Sequence, residues 1–347
     1  LPDYFSGGVK MMYRHIELLN RHGYRAFALH TRKGFRLTHF AHQVPVVYWN
    51  TSLIQSDDIV VMPEYLGVWV NHNRSTAGLW GRLKKRFSKN RYRYLAYDLF
   101  HGPWAKVIYN QNPYYTFMGY PVTPHRLSNP YDLTSCLGTI CVSEENFRYL
   151  KFAFPERAVY RIFYAIDATR FQPQSPKKQM IAYLSFKNRQ DVTQVISLLG
   201  SRNKLRGFEL TCVEGPEEVV AKAFGEASVM LNFGNIEGFG LPPAEAMLSG
   251  CVVVGYHGEA GREFMNPTTC FPIENGNIVS FVETVERVVA ELSENSLAFS
   301  SMRERARTFI RETYSHRAEE ESVMTAWAAL IAAHQLQKKT SGVESTE

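Results

Sequence analysis

The chain has no long apolar run. None of its stretches approaches the roughly 20 apolar residues a membrane-spanning helix needs, and none has the order of a signal peptide. Cysteine is sparse: five residues, at 136, 141, 212, 251 and 270, odd in number and without a Cys-x-x-Cys. That pattern favours free thiols in a reducing, cytoplasmic compartment over a disulfide framework or a zinc site. No Walker A sequence, no repeat of fixed period and no Asp-x-Asp occurs. The chain therefore offers neither a P-loop nor a paired-aspartate metal clamp. An initiator Met is also missing at Leu1, and a first β-strand is expected to be truncated.

What is present suits a two-domain globular protein. The 347 residues suffice for two cores, and 45% hydrophobic and 21% charged residues are ordinary proportions. The net charge of +6 is modest, and its distribution carries more information than its size.

Residues 228–265, SVMLNFGNIEGFGLPPAEAMLSGCVVVGYHGEAGREFM, organise the rest. Val229 to Phe233 has strand length and composition. Gly234, Gly238 and Gly240 form a loop, Pro242 and Pro243 open a helix where a missing N–H costs little, and Gly250 ends it. Cys251 to Tyr256 is a second β-branched run, followed by a glycine loop ending at Glu263. This is one βαβ unit and the start of the next. Glu237 falls just past a strand and Glu245 early in the following helix, so both reach the carboxyl edge of the sheet, where open α/β sheets bind ligands. Glycine permits close backbone approach, a helix start attracts an anion, and a carboxylate accepts two hydroxyls of a diol. The residues thus read as a site for a phosphorylated, hydroxyl-rich ligand. The competing reading is a capped helix whose early Glu is favoured by the dipole.

EGFGLPPAEAM, with its Glu-x7-Glu pair Glu237 and Glu245, the following Gly250, the VVV strand and the segment ending at Glu263, resembles the signature of retaining glycosyltransferase family 4, of bacterial polysaccharide type. The resemblance implies a GT-B fold: two Rossmann-like α/β domains with parallel sheets facing across a cleft. It implies a hexosyltransferase that uses a nucleotide diphosphate sugar and a glycan or lipid-linked hydroxyl acceptor, with no cofactor and no metal. Glu245 would hold the donor ribose and Glu237 would lie beside the transferred sugar as a catalytic group. Gly238, Phe239, Gly240 and Leu241 would line the donor site. The Gly258 to Gly261 loop and Glu263 would lie beside the diphosphate, with the Glu259 carboxylate directed away from it. Lys187, also catalytic, would clamp the diphosphate; Phe186 stands where relatives carry an Arg, and Arg189 is the substitute. Rival readings are a nucleotide-sugar epimerase, a GT-B-like protein that binds without catalysing, and a nucleic-acid binder. The last is set aside, and no nucleic-acid partner is expected.

In the first half, Phe5-Ser6-Gly7-Gly8-Val9 leads into a helix with apolar residues at Val9, Met12, Ile16 and Leu19. The pair Gly7-Gly8 resembles the family segment facing the donor phosphates; read alone, such a pair is more often just a tight turn. Tyr24 to His30, Asp58 to Pro63 and Lys106 to Tyr109 read as strands. Glu64, Asn110, Gln111 and Asn112 follow strand ends and form the acceptor side, although an Asx turn before Pro113 explains the amides as well. Residues 79–93 are basic and amphipathic, with Trp80, Leu83 and Phe87 on one face. They suit an anionic bilayer, giving a peripheral association with the inner face of the plasma membrane, or a solvated face packed on the domain. The expected domains are residues 1–171 and 172–320. A helix over 321–337 returns to the first domain, and 338–347 form a disordered tail.

Overall fold

The computed structural model describes residues 1, 6–38, 40–49, 53–71, 91–125 and 127–343. Its chain divides into two compact units. One comprises residues 1–142, 146–162 and 320–347, the other 143–145 and 163–319. The exit segment AIDATRFQP (165–173) therefore groups with the second unit, and the C-terminal residues from 320 group with the first.

The first unit begins with α1 (Gly7–Arg21), capped by Ser6, whose hydroxyl accepts the Val9 N–H at 3.2 Å. Two short strands, β1 (Ala28–His30) and β2 (Val46–Tyr48), pair in parallel. A four-stranded parallel sheet follows in the order β3-β4-β5-β6: β3 (Ile59–Pro63), β4 (Ala105–Asn110), β5 (Cys136–Cys141) and β6 (Val159–Arg161). Helices α2 (Arg91–His101) and α3 (Glu144–Ala153) lie between strands in the chain. Every residue of β4 is buried, as expected of a strand in a parallel sheet covered on both faces. The predicted strand over 24–30 is real only at its last three residues, and β2 carries no strong sequence signal.

The second unit carries a five-stranded parallel sheet in the order β11-β10-β9-β7-β8. Its strands are β7 (Lys178–Tyr183), β8 (Glu209–Cys212), β9 (Ala227–Asn232), β10 (Val252–Tyr256) and β11 (Phe271–Ile273). Its helices are α4 (Arg189–Arg202), α5 (Glu217–Glu226), α6 (Leu241–Leu248), α7 (Ile278–Glu294) and α8 (Ser300–Thr313). β9 and β10 are buried throughout. Val229, Leu231, Val252 and Val254 pack with Val195, Leu199, Phe281 and Val285 into one core. Four of the five cysteines are buried and none forms a disulfide.

The last helix, α9 (His316–Val343), corrects the expected tail: residues 338–343 are helical. Trp327 on this helix donates its indole N–H to Nε2 of buried His15 at 2.8 Å. That contact and buried Val323, Ala326 and Leu330 anchor the helix in the first unit. No helix among the described residues is long and apolar enough to cross a membrane. Of the basic stretch, 79–90 lies outside the described residues, and 91–93 open α2.

Candidate functional site

The carboxyl edge of the second sheet is built by glycine. Asn232, ending β9, donates its amide to the Tyr256 carbonyl at 2.6 Å. Gly255 stands opposite with φ +141°, and a Cβ there would lie 2.1 Å from the Asn232 carbonyl oxygen. Beyond these strand ends the two loops are stitched together. The Glu237 N–H donates to the Gly258 carbonyl at 2.8 Å, and Glu237 and Glu259 form a parallel bridge. Gly258 has φ +61°, and a Cβ on it would fall 2.7 Å from Glu237 Cγ. The glycine thus leaves the space that the Glu237 side chain occupies.

Lys187 reaches this point from the loop after β7, and its Nζ lies 2.5 Å from Glu237 Oε1. Its ammonium also sits 5.7 Å from the centroid of the Phe186 ring, which is 61% exposed. Arg189 is exposed at the first position of α4, two residues away. Lys187 thus stands on the loop that faces Glu237, and Arg189 opens the helix that follows it. Glu245 is half-buried in the second turn of α6, and Leu241 is half-buried at its first position. Gly240, with φ +92°, precedes the helix without a side-chain cap, and Pro242 and Pro243 occupy its first turn.

Three expected placements, the Gly258 to Gly261 loop, the Gly238–Phe239 pair and Glu263, find other partners in the fold. From residue 259 onward the Gly258 to Gly261 loop spends its amides within the segment. The N–H groups of Glu259, Ala260, Gly261 and Arg262 donate to His257 Nδ1 and to the carbonyls of Gly258, His257 and Glu259, because the segment closes into a 3-10 turn. Phe239 is an anchor: it is 4% exposed, with Tyr314, Phe264 and Tyr164 ring centroids 4.9, 5.6 and 5.7 Å away. Gly238, beside it, is buried as well. Glu263 is engaged by the Tyr314 hydroxyl, which donates to its Oε1 at 2.8 Å. The Glu259 carboxylate is paired with Arg262 at 3.1 Å, which accommodates its charge.

His257 carries no sequence signal of its own, yet it shapes the loop. Its Nδ1 accepts the Glu259 N–H at 3.0 Å, so the ring is a neutral tautomer protonated at Nε2. Burial, followed by the nearby Arg262 charge, holds its pKa below the usual histidine value.

The first unit presents its own sheet edge. Gly7 and Gly8 open α1, and a Cβ on Gly8 would lie 2.8 Å from Gln111 Oε1. Gln111 donates its amide to the Gly8 carbonyl at 3.1 Å, so this pair fixes the glycine turn to the end of β4. Asn110, expected to face an acceptor, is instead internal. Its Nδ2 donates to Thr116 and Tyr131 at 3.0 and 2.8 Å, and Asn146 donates to its Oδ1. Asn112 caps a 3-10 turn, accepting the Tyr114 N–H at 3.1 Å; here the Asx turn is what forms. Glu64, at the end of β3, is 2% exposed and accepts the Asn112 N–H at 3.2 Å. Burial raises its pKa to about 7, against the opposing pull of backbone N–H groups.

No protein-family model matches the chain. A curated relative, an alpha-1,6-glucosyltransferase of Actinobacillus pleuropneumoniae serotype 7 (strain AP76), is 24% identical over 231 residues, 59% of this chain and 65% of that protein. Sucrose-phosphate synthase from Thermosynechococcus elongatus superposes with a TM-score of 0.64 at 12% identity, covering 94% of each chain. The fold is the GT-B glycosyltransferase fold. A point mutant of S. aureus TarM, solved with Fondaparinux, alpha-GlcNAc-glycerol and UDP, matches with a TM-score of 0.52 at 15% identity, over 70% of this chain and 53% of that one. This chain thus spans about half the length of that GT-B structure and under two thirds of the curated relative.

Proposed function

We propose that this GT-B chain transfers a hexose from a nucleotide diphosphate sugar to a hydroxyl on a glycan or lipid-linked glycan, with retention at the anomeric carbon. The observation that carries the reading is the Lys187–Glu237 pair at the carboxyl edge of the parallel sheet, with Glu245 in the second turn of the next helix. Lys187 and Arg189 take the diphosphate and Glu245 the ribose hydroxyls, while Glu237 orients the sugar. As the bond from anomeric carbon to phosphate oxygen breaks, Glu237 stabilises the positive charge growing on that carbon, and Lys187 meets the negative charge on the departing diphosphate. Gly7 and Gly8 serve the donor phosphates, and Glu64, Gln111 and Asn112 shape the acceptor side. The two cations replace a metal ion. The reading is also supported by the names of the relatives: one is a glucosyltransferase, and another was solved with UDP.

We further propose a cytoplasmic enzyme that docks on the inner face of the plasma membrane through residues 79–93. Incubation with a panel of nucleotide sugars, reading released nucleotide and transferred sugar by mass spectrometry, tests the reaction. Release with a matching glycan acceptor is expected. An altered donor without transfer would make the chain an epimerase, and saturable binding without turnover would make it a binding protein.

A further inference from the structure

Two residues beside the Glu237 carboxylate hold backbone conformations that side-chain-bearing residues rarely adopt. Ile236, immediately before Glu237, has φ +54°, and Glu259, the bridge partner of Glu237, has φ +65°. A β-branched side chain crowds the backbone in the left-handed region, so such a conformation persists only where neighbouring bonds hold it. The bonds converge on one carbonyl. Gly258 accepts the Glu237 N–H at 2.8 Å and the Ala260 N–H at 2.9 Å, which occupies both of its lone pairs. The second bond closes a three-residue γ-turn centred on Glu259 (φ +65°, ψ −66°), the rare and strained form of that turn.

His257 clasps this turn with both its ring and its backbone. Its Nδ1 accepts the Glu259 N–H at 3.0 Å, and its carbonyl accepts the Gly261 N–H at 3.0 Å. The residue is 4% exposed, and its Nε2 is buried without a partner among the described residues. A buried N–H left without an acceptor costs stability. An apolar side chain would avoid that cost but would leave the Glu259 N–H without its acceptor. The ring therefore carries an orphaned donor in order to supply one bond to the turn.

Taking Glu237 as the group beside the transferred sugar, we propose that His257 is a positioning residue of the site: its neutral imidazole holds the turn from which the Glu237 backbone is suspended, and so keeps the carboxylate beside Lys187. The arrangement is acid-sensitive. A second proton can enter the ring only at Nδ1, and it would set an N–H donor against the Glu259 N–H. The charged groups around the ring are Glu259 and Arg262 on its own segment, Glu274 just after β11, and the Glu237–Lys187 pair beside Gly258. Burial, then Arg262, lowers the ring's pKa from 6.5, and Glu259 and Glu274 oppose the shift. The turn is thus held at neutral pH and released on the acid side.

The test compares His257→Leu with His257→Asn in the full chain. The two side chains have nearly the same shape, and only Asn keeps an acceptor for the N–H two residues on. His257→Leu is expected to speed amide exchange at Glu237 and at 259–261 about tenfold while β9 and β10 stay unchanged. It is also expected to lower kcat on the order of a hundredfold with donor KM little altered, as misplacement of a reacting group does. His257→Asn is expected to keep both near wild type. It should also remove the acid limb that wild type shows below pH 6.5 in kcat and in Glu237 exchange. Equal effects of Leu and Asn, or unchanged Glu237 exchange in His257→Leu, would overturn the proposal. So would faster exchange throughout β9 and β10, the mark of a histidine that only stabilises the fold. If His257→Leu does not fold, wild type against His257→Asn across pH decides, and coincident Glu237 exchange profiles would refute the assignment. A wild type that turns over no nucleotide sugar sinks the transfer reading alone, because the exchange comparison measures the hold on Glu237 without turnover.

Discussion

Lys187 Nζ and Glu237 Oε1 meet at 2.5 Å although the residues are fifty positions apart. The ammonium side chain is 43% exposed and the carboxylate 16%. Such a half-solvated pair contributes on the order of 1 kcal/mol to stability, so it is a weak structural tie. It leaves a cation with bonding capacity to spare beside a positioned carboxylate, which is what a leaving diphosphate and a reacting sugar require.

Lys187→Ala is expected to weaken binding of a nucleoside diphosphate by about 1.5–3 kcal/mol, the worth of a charge-assisted hydrogen bond. Binding of the nucleoside alone should hardly change. Calorimetry with both ligands decides it, and equal weakening would make the lysine structural.

Glu245→Gln is expected to lower affinity for both nucleoside and nucleoside diphosphate by a similar ~1.5–3 kcal/mol. The substitution leaves one acceptor where two hydroxyls donate. A folded variant with unchanged affinity would remove Glu245 from the site.

Transfer is expected to persist in EDTA, because Lys187 and Arg189 are assigned the charge a metal would otherwise carry. Loss of turnover restored by manganese or magnesium would contradict that assignment.

Glu64 predicts a pH dependence of stability. Its folded pKa, about 7, lies above its ordinary value near 4.5, and burial is the cause. The native state therefore holds this proton more tightly than the unfolded chain does. The contribution is fully present below pH 4.5 and is lost as pH rises through 7. Glu64→Gln removes the titration, so the variant should match wild type at pH 4.5 and exceed it in Tm by a few degrees at pH 8. Parallel melting curves across that range would show the carboxyl to be ordinary.

Docking by residues 79–93 predicts sedimentation with anionic but not neutral vesicles, at about 1 kcal/mol per basic residue near the surface and fading with salt. Replacing Lys84, Lys85 and Arg86 with Glu should abolish it. A folded triple variant that still sediments would refute the assignment.

The sequence by itself determined much of the second unit. Apolar runs at 229–233 and 251–256, with glycine and proline between them, specify buried parallel strands and the helix joining them, because these are local consequences of periodicity and backbone freedom. It also put Glu237 just past a strand end and Glu245 in the helix that follows, since the spacing of glycine, proline and apolar residues decides that. Tertiary structure decided which residues meet there. β7 pairs with β9 rather than only with β8, its neighbour in the chain, and this crossover brings Lys187 beside Glu237. Long-range contacts likewise put Phe239 among Tyr164, Phe264 and Tyr314, and spend the Asn110 amide on Thr116 and Tyr131. Even the 259–262 amides were settled by conformation, because a glycine loop and a closed 3-10 turn share one composition and differ only in φ and ψ.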